Sequence, residues 1–129
     1  MKEGGLFKLS KRERQIMDVF YMLGEATAAQ IIENLPEQVG DASIRKLIRI
    51  LEKKGCLSHR REGHYYIYKP TLPREQASRA AMRHILRTFF QDSAPRAVSA
   101  LLDVTRGQLS EEDIERISGL IAEAEKEGR

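Results

Sequence analysis

The sequence predicts a mainly α-helical fold with one small β-hairpin, and three observations lead to it. Apolar residues recur every three or four positions through most of the chain, the period of amphipathic helices. Between Cys56 and Lys69 the pattern changes to two short extended segments around a glycine, which is typical of two strands joined by a tight turn. Three predicted helices precede this hairpin and three follow it. The expected architecture is therefore an N-terminal winged helix-turn-helix followed by a C-terminal helical region.

The first two helices have clear start signals. Ser10 and Glu13 stand three residues apart, which is the spacing of a capping box, and Gly24 ends the helix. Thr27 and Gln30 repeat this spacing and start a shorter second helix. Each helix carries an apolar stripe, so both are expected to pack into one core.

The third helix, over residues 41–55, combines an apolar stripe with a basic face. Four apolar residues fall at i, i+3, i+4 and i+7, namely Ile44, Leu47, Ile48 and Leu51. We expect Asp41 to cap its start and Gly55 to end it. A short helix with one apolar and one cationic face fits the major groove of duplex DNA. Taken alone, the same pattern also fits a surface helix with a solvated charged face.

The hairpin follows directly. Residues 56–61 and 64–69 are predicted as strands, because the second segment is rich in aromatic and β-branched residues. Glu62 and Gly63 are predicted to form the tight turn, where glycine supplies a positive φ. The hairpin would be the wing of the winged helix, and the winged-helix domain is predicted to span residues 1–72.

Residues 73–129 are predicted to form a helical dimerisation domain. Three amphipathic helices of this length make a thin core by themselves, so burial against an identical chain is the favoured interpretation, and folding back onto residues 1–70 is the alternative. The residues expected to form the dimer surface are Ile85, Phe89, Phe90, Val98, Leu101, Leu102, Ile114, Ile117, Leu120 and Ile121.

Charge is distributed unevenly along the chain. The net charge is only +3, but residues 45–69 contain eight Arg and Lys against two Glu. Residues 111–127 reverse the balance, with seven acidic residues against two basic ones. This asymmetry indicates a polyanion-binding part followed by a part with another role.

The remaining composition argues against several other classes. A single cysteine and the lack of a long apolar segment predict a cytoplasmic protein without a disulfide or a membrane span. No phosphate loop or hydrolase motif occurs, so no enzyme activity and no cofactor are expected. Cys56, His59 and His64 could be three zinc ligands, but their spacing is loose, and no metal is expected. A redox role for Cys56 is the other alternative.

Several stretches resemble one known family. The matching features include Leu47, Leu51 and Lys54-Gly55, the turn at Glu62-Gly63, Tyr68-x-Pro70, and the helix start Leu109-Ser110-Glu111-Glu112. From about Leu9 to Ala122 the chain resembles the penicillinase-repressor (BlaI/MecI/CopY) family of winged-helix regulators. The resemblance implies a homodimeric repressor of transcription. Copper-sensing members have a C-terminal cysteine cluster that this chain lacks, and the Asn-Phe cleavage site of antibiotic-resistance members is absent from residues 101–104.

The predicted function is sequence-specific repression through a palindromic double-stranded DNA operator. We expect Arg45 and Arg49 to contact base edges, and Ser43 and Lys46 to make phosphate or mixed contacts. The other candidate DNA contacts are Arg60, Arg61 and His64 in the wing and Lys11 and Arg12 in the first helix. The alternative is a winged-helix module that binds only proteins. No membrane partner is expected. Whether a protease or a ligand releases the protein from DNA is left open.

Overall fold

A computed structural model describes residues 8–37 and 39–128. Across these residues the elements are α1 (Lys11–Leu23), α2 (Ala28–Glu33), α3 (Asp41–Lys53), β1 (Leu57–Glu62), β2 (Tyr65–Pro70), α4 (Arg74–Phe89), α5 (Ala94–Val104) and α6 (Glu111–Lys126). The mainly helical class with one antiparallel hairpin is confirmed. The chain forms two compact units that divide between Met82 and Arg83. The functional boundary that the sequence places after residue 72 stays a prediction.

The predicted capping boxes are present. The Ser10 hydroxyl accepts a hydrogen bond from the Glu13 N–H, and Glu13 Oε1 accepts one from the Ser10 N–H at 2.8 Å. Thr27 and Gln30 make the same reciprocal pair at the start of α2. Each pair satisfies two backbone donors that a helix start would otherwise leave unbonded, so both helices begin where the sequence places them.

The predicted cap of α3 is wrong. Gly40 is the N-cap and provides no side-chain hydrogen bond, while Asp41 is already the first helical residue. A cap needs an extended backbone that turns its side chain back over the first N–H groups, and Asp41 has passed that point. Its carboxylate still lies in the first turn, where the helix dipole favours negative charge.

The end of α3 follows the prediction and places the hairpin. Gly55 has φ +89° and donates its N–H to Glu52 O at 3.0 Å, and the Cys56 N–H reaches Leu51 O at 2.9 Å. These two bonds are a Schellman motif, which requires the left-handed backbone that glycine adopts without strain. The chain therefore leaves α3 sharply and enters β1 at Leu57.

The core of the first unit joins α1, α2, α3 and the hairpin. Its fully buried large side chains are Phe20, Ile16, Ile31, Ile44, Ile48 and Leu51. Tyr68 of β2 meets the Phe20 ring edge-on, with centroids 6.4 Å apart. Ala26, between α1 and α2, exchanges two backbone hydrogen bonds of 2.9 Å with Tyr68. The hairpin is thus joined to the helices by both packing and backbone pairing.

The hairpin turn lies one residue later than predicted. Glu62 pairs with Tyr65, so Gly63 and His64 form the turn. Gly63 has φ +61°, which suits the first position of a type II′ turn. The prediction of the turn at Glu62 and Gly63 was wrong because pairing extends β1 to Glu62, and His64 consequently belongs to the turn rather than to a strand.

The second unit begins at Arg83, and its described residues, 83–128, include no buried side chain. Ser93 caps α5, with Pro95 in its first turn, and Ser110 forms a capping box with Asp113 at the start of α6. Neither α5 nor α6 contains a buried residue within the part of the chain that the structure describes. These helices are regular but leave their apolar stripes uncovered.

A buried charge connects α1 to the end of α3. Glu13 is 4% exposed, and Lys54 Nζ lies 3.0 and 2.9 Å from its two carboxylate oxygens. Burial by itself would raise the pKa of Glu13, but the Ser10 N–H and the Lys54 ammonium stabilise the carboxylate more, so its pKa is lowered. The pair fastens α3 at its C-terminal end.

We expect Glu13→Gln to reduce the free energy of unfolding by about 2 kcal/mol at neutral pH, because it removes charge-assisted hydrogen bonds from a buried site. A lowered folded-state pKa stabilises the fold above the ordinary value of 4.5 and ceases to do so as the pH falls through the folded pKa. Urea unfolding from pH 7 to pH 3 should therefore show the two proteins converging in acid. Glu33→Gln, at an exposed site, is the control. A difference that persists unchanged at pH 3 would contradict the role of the Glu13 charge.

Candidate nucleic-acid interface

The rotation of α3 about its axis is set by its buried side. Ile44, Ile48 and Leu51 point into the core, which turns the opposite side of the helix to solvent. All four candidate residues on this helix are exposed, namely Ser43, Arg45, Lys46 and Arg49. Arg45 and Arg49 are one helical turn apart, so they project from the same stretch of surface.

The wing, residues 57–70, separates its two arginines onto opposite faces. Neighbouring residues in a strand point to opposite sides of the sheet. Arg61 pairs with Tyr66 and so shares a face with that residue, whereas Arg60 pairs with Ile67 on the other face. Arg60 and Arg61 therefore lie on two different surfaces, although they are adjacent in sequence and carry the same charge.

An open groove lies between α2, α3 and the wing. It is lined by Thr27, Ala28, Ala29, Arg45, Ile48, Arg49, Arg61, His64, Tyr65, Tyr66 and Tyr68. Four of the predicted DNA contacts are thus brought together: Arg45, Arg49, Arg61 and His64. A concave surface that carries both arginines and aromatic rings suits a nucleic acid, which is a polyanion with flat apolar surfaces of its own.

His59 links the aromatic face of the wing to α3. The His59 ring stacks on Tyr66, with centroids 4.7 Å apart and planes 28° apart. His59 Nδ1 lies 2.5 Å from Glu52 Oε2 on α3. These contacts hold the groove face of the wing against the helix. Sequence reasoning did not include Tyr65, Tyr66 or Glu52 among the site residues, although strand alternation could have placed Tyr66 beside Arg61.

Two of the predicted contacts are already bound to carboxylates. Arg60 donates from Nη1 and Nη2 to the two oxygens of Glu25, each at 2.9 Å, and from Nε to Glu62 at 2.9 Å. The hydrogen bonds to Glu25 and, to a smaller extent, the one to Glu62 raise the pKa of Arg60. Arg12 Nη1 lies 3.2 Å from Glu37 Oε1. DNA contact by these arginines stays a prediction, as it does for the exposed Lys11.

Cys56, His59 and His64 are not assembled as a metal site. Cys56 is 9% exposed in the core, His59 is bound to Glu52, and His64 lies in the turn. Residues 8–37 and 39–128 contain no cluster of three or more His, Cys, Asp or Glu that could hold a metal. No helix in the same residues is both long and apolar enough to cross a membrane.

The predicted dimer residues all lie in the second unit and are largely solvent-accessible. Eight of them are between 40% and 72% exposed: Ile85, Phe89, Val98, Leu101, Leu102, Ile114, Leu120 and Ile121. Phe90 and Ile117 are partly buried. These ten residues lie in or next to three helices, α4, α5 and α6.

The family model described as penicillinase repressor matches residues 9–123. An uncharacterized 16.5 kDa protein from the ptsI 3' region of Latilactobacillus sakei is 27% identical over 116 residues, which cover 88% of this chain and 78% of that protein. MepR, a transcription regulator of the Staphylococcus aureus multidrug efflux pump MepA, is similar in structure, with a TM-score of 0.51, 16% identity, and coverage of 95% of this chain and 82% of MepR. The DNA-binding domain of the repressor BlaI aligns with a TM-score of 0.49 and 24% identity over 53% of this chain and 85% of that domain. The likeness to MepR concerns the fold.

We expect the thiol of Cys56 to react slowly with a disulfide reagent such as dithionitrobenzoate. Burial raises the pKa of Cys56, because it disfavours the thiolate that attacks the reagent. At pH 7.5 the native protein should react at least tenfold more slowly than the protein in urea. Equal rates in both states would contradict this and would revive a redox role for Cys56.

Proposed function

The chain belongs to the penicillinase repressor family and is a DNA-binding transcriptional repressor; we propose that it acts as a homodimer on a palindromic operator. Each winged-helix unit would bind one half-site, and the bound dimer would repress transcription by occluding the promoter. The observation that carries this proposal is the groove that gathers Arg45, Arg49, Arg61 and His64 beside the exposed side of α3.

In this proposal α3 is the recognition helix. Its 13 residues correspond to a length of about 20 Å at 1.5 Å per residue, and a helix fits the ~12 Å width of the major groove of B-DNA. Arg45 and Arg49 would bind guanine edges through two parallel hydrogen bonds each. Ser43 and Lys46, which are exposed farther round α3 than the two arginines, would make phosphate or mixed contacts and fix the register.

The wing would contact the backbone beside the half-site. Arg61 Nε donates to Gly63 O at 3.1 Å, which holds its guanidinium close to the turn. His64, which lies in the turn itself, would contact the backbone beside Arg61. Contacts of this kind position the protein without reading sequence, so their loss would weaken binding to all duplexes alike.

A second copy of the chain is the proposed cover for the apolar surface of the second unit. Monomeric proteins rarely expose apolar patches larger than a few hundred Å². Burial contributes about 25 cal/mol per Å² of apolar surface, so covering eight exposed side chains on three helices supplies a large driving force. Two-fold pairing would also set two α3 helices on half-sites about 34–36 Å apart, or a multiple of that distance.

A winged-helix module that binds only proteins is the competing function. It would not require cations on the exposed side of α3, and it would not release counterions from a phosphate backbone. DNA binding that falls by orders of magnitude between 50 and 200 mM salt would favour the proposed function. Absence of binding to every duplex offered at low salt would favour the competitor.

We expect Arg45→Gln and Arg49→Gln each to weaken binding to a selected operator by ~1–3 kcal/mol, roughly 5- to 150-fold, and to relax sequence preference at one position per half-site. Fluorescence anisotropy with the operator and with a scrambled duplex measures both effects. Arg79→Gln removes an exposed cation of α4 and is the control. Wild-type affinity in both α3 variants would remove this helix from the interface.

We expect Phe89→Glu to convert the protein to a monomer at micromolar concentration, because it places a charge in the proposed dimer surface. Operator affinity should fall at the same time, since two half-sites would be bound independently. Met22→Glu is a matched control, because Met22 is 71% exposed and Phe89 is 72% exposed. Sedimentation velocity distinguishes the species. A monomeric wild-type protein at high concentration, or a dimeric Phe89→Glu variant, would refute the proposed interface.

A further inference from the structure

Arg60 and its two partners, Glu25 and Glu62, form an ion-pair cluster on the face of the wing away from the groove. We call this group the Arg60 cluster. Its three hydrogen bonds are each 2.9 Å long, and the pair with Glu25 uses both terminal nitrogens of the guanidinium. Such bidentate pairs are the geometrically specific kind, and they join side chains 35 positions apart in sequence.

The Arg60 cluster spans the full width of the sheet. Tyr68 of β2 pairs with His59 of β1 on one side and with Ala26 on the other. Strand β2 therefore lies between β1 and the segment that contains Ala26. Because Glu25 precedes Ala26, the Arg60 side chain must cross β2 to reach it. The ion pair thus fastens the outer strand of the wing to the connection between α1 and α2.

The charge around Arg60 is unfavourable for phosphate. Two carboxylates face the guanidinium, and with Lys69, whose charge also acts on Glu25, the patch has no excess of positive charge to attract a phosphate. Three of the five N–H donors of Arg60 are already used. Arg61 is different, because it lies on the opposite face and lines the groove with Arg45 and Arg49. The two neighbouring arginines are suited to different tasks.

We propose that Arg60 is a positioning residue, which holds the wing so that Arg61 and His64 face the groove, and that it makes no contact with DNA. This inference rests on the proposed DNA-binding function. A two-stranded hairpin has little stability of its own, so a tie to the helical core determines where the wing lies. Isolated surface ion pairs contribute little, but a bidentate pair within a network is the recognised exception.

The sign of the effect of Glu25→Gln on operator affinity separates the two roles. If Arg60 positions the wing, Glu25→Gln should weaken binding three- to tenfold relative to Glu33→Gln, which makes the same charge change at an exposed site. If Arg60 were a DNA contact restrained by Glu25, Glu25→Gln would release it and bind more tightly than the control. Affinity equal to the control, or tighter, overturns the proposal.

Salt dependence provides a second comparison. Arg60→Gln should weaken binding by the same factor as Glu25→Gln and leave the slope of log K against log salt concentration unchanged. Arg61→Gln, a proposed phosphate contact, should reduce that slope by ~0.9. The double variant Glu25→Gln/Arg60→Gln should bind as well as either single variant, since both changes break one tie. A reduced slope for Arg60→Gln, or losses that add in the double variant, overturns the proposal.

Amide hydrogen exchange tests the tie without DNA. In the free protein, Arg60→Gln and Glu25→Gln should each accelerate exchange at residues 65–69 at least fivefold, while exchange in α1 and the thermal midpoint stay within error of wild type. Unchanged exchange in β2 overturns the tie. If the wild-type protein binds no duplex DNA, the proposed function fails by itself, and the exchange result still decides whether the Arg60 cluster holds the wing.

Discussion

The candidate interface depends on the burial of one side of α3. Ile44, Ile48 and Leu51 are enclosed by α1, α2 and the hairpin, so the helix cannot turn about its axis without exposing them. Fully burying such a side chain contributes ~1.5–3 kcal/mol. Rotating α3 would expose these side chains to water and cost several kcal/mol. Better solvation of the arginines would not offset that cost. The core in this way decides which side of α3 faces a ligand, and the cations only supply the chemistry on that side.

Position within the pleated hairpin decides what each cation of the wing can do. Arg60 and Arg61 are adjacent and chemically identical, yet one is bound by two carboxylates and the other lines the groove. Counting Lys and Arg over residues 45–69 therefore overstates the positive charge that a DNA duplex would meet. The same holds at Lys54, whose ammonium is bound to the buried Glu13. Some of the cations in this basic stretch are therefore already paired with carboxylates of the protein.

The sequence was sufficient for most structures that depend on neighbours in the chain, the misplaced cap of α3 at Asp41 being the exception. The capping boxes at Ser10 and Thr27 and the stop at Gly55 involve residues within a few positions of each other, and all of them form. The turn at Gly63 was misplaced by one residue, because strand pairing with Tyr65 fixes the register and glycine suits more than one turn position. Glu25, the bidentate partner of Arg60, lies 35 positions away, and Glu13, the partner of Lys54, lies 41 positions away, so no local pattern predicts either pair.

The same limit explains why the candidate site was only partly predictable. Helical spacing is enough to place Arg45 and Arg49 on one side of α3, because that relation is local. It could not show that Arg61 and His64 join them in one groove, since this requires the Schellman turn at Gly55 and the pairing of Ala26 with Tyr68.

Dimerisation through the apolar second unit would increase operator affinity without adding contacts to DNA. In the proposed complex, one winged-helix unit would offer two arginines for base edges, worth ~1–3 kcal/mol of discrimination each, which is modest against the many competing sites of a genome. Joining two units makes the second half-site encounter intramolecular, and its effective concentration can reach the millimolar range without any new contact to DNA. Residues such as Phe89 and Leu101 would then contribute to operator affinity although they never touch it. Because this gain requires both half-sites at the correct spacing, it would increase specificity together with affinity.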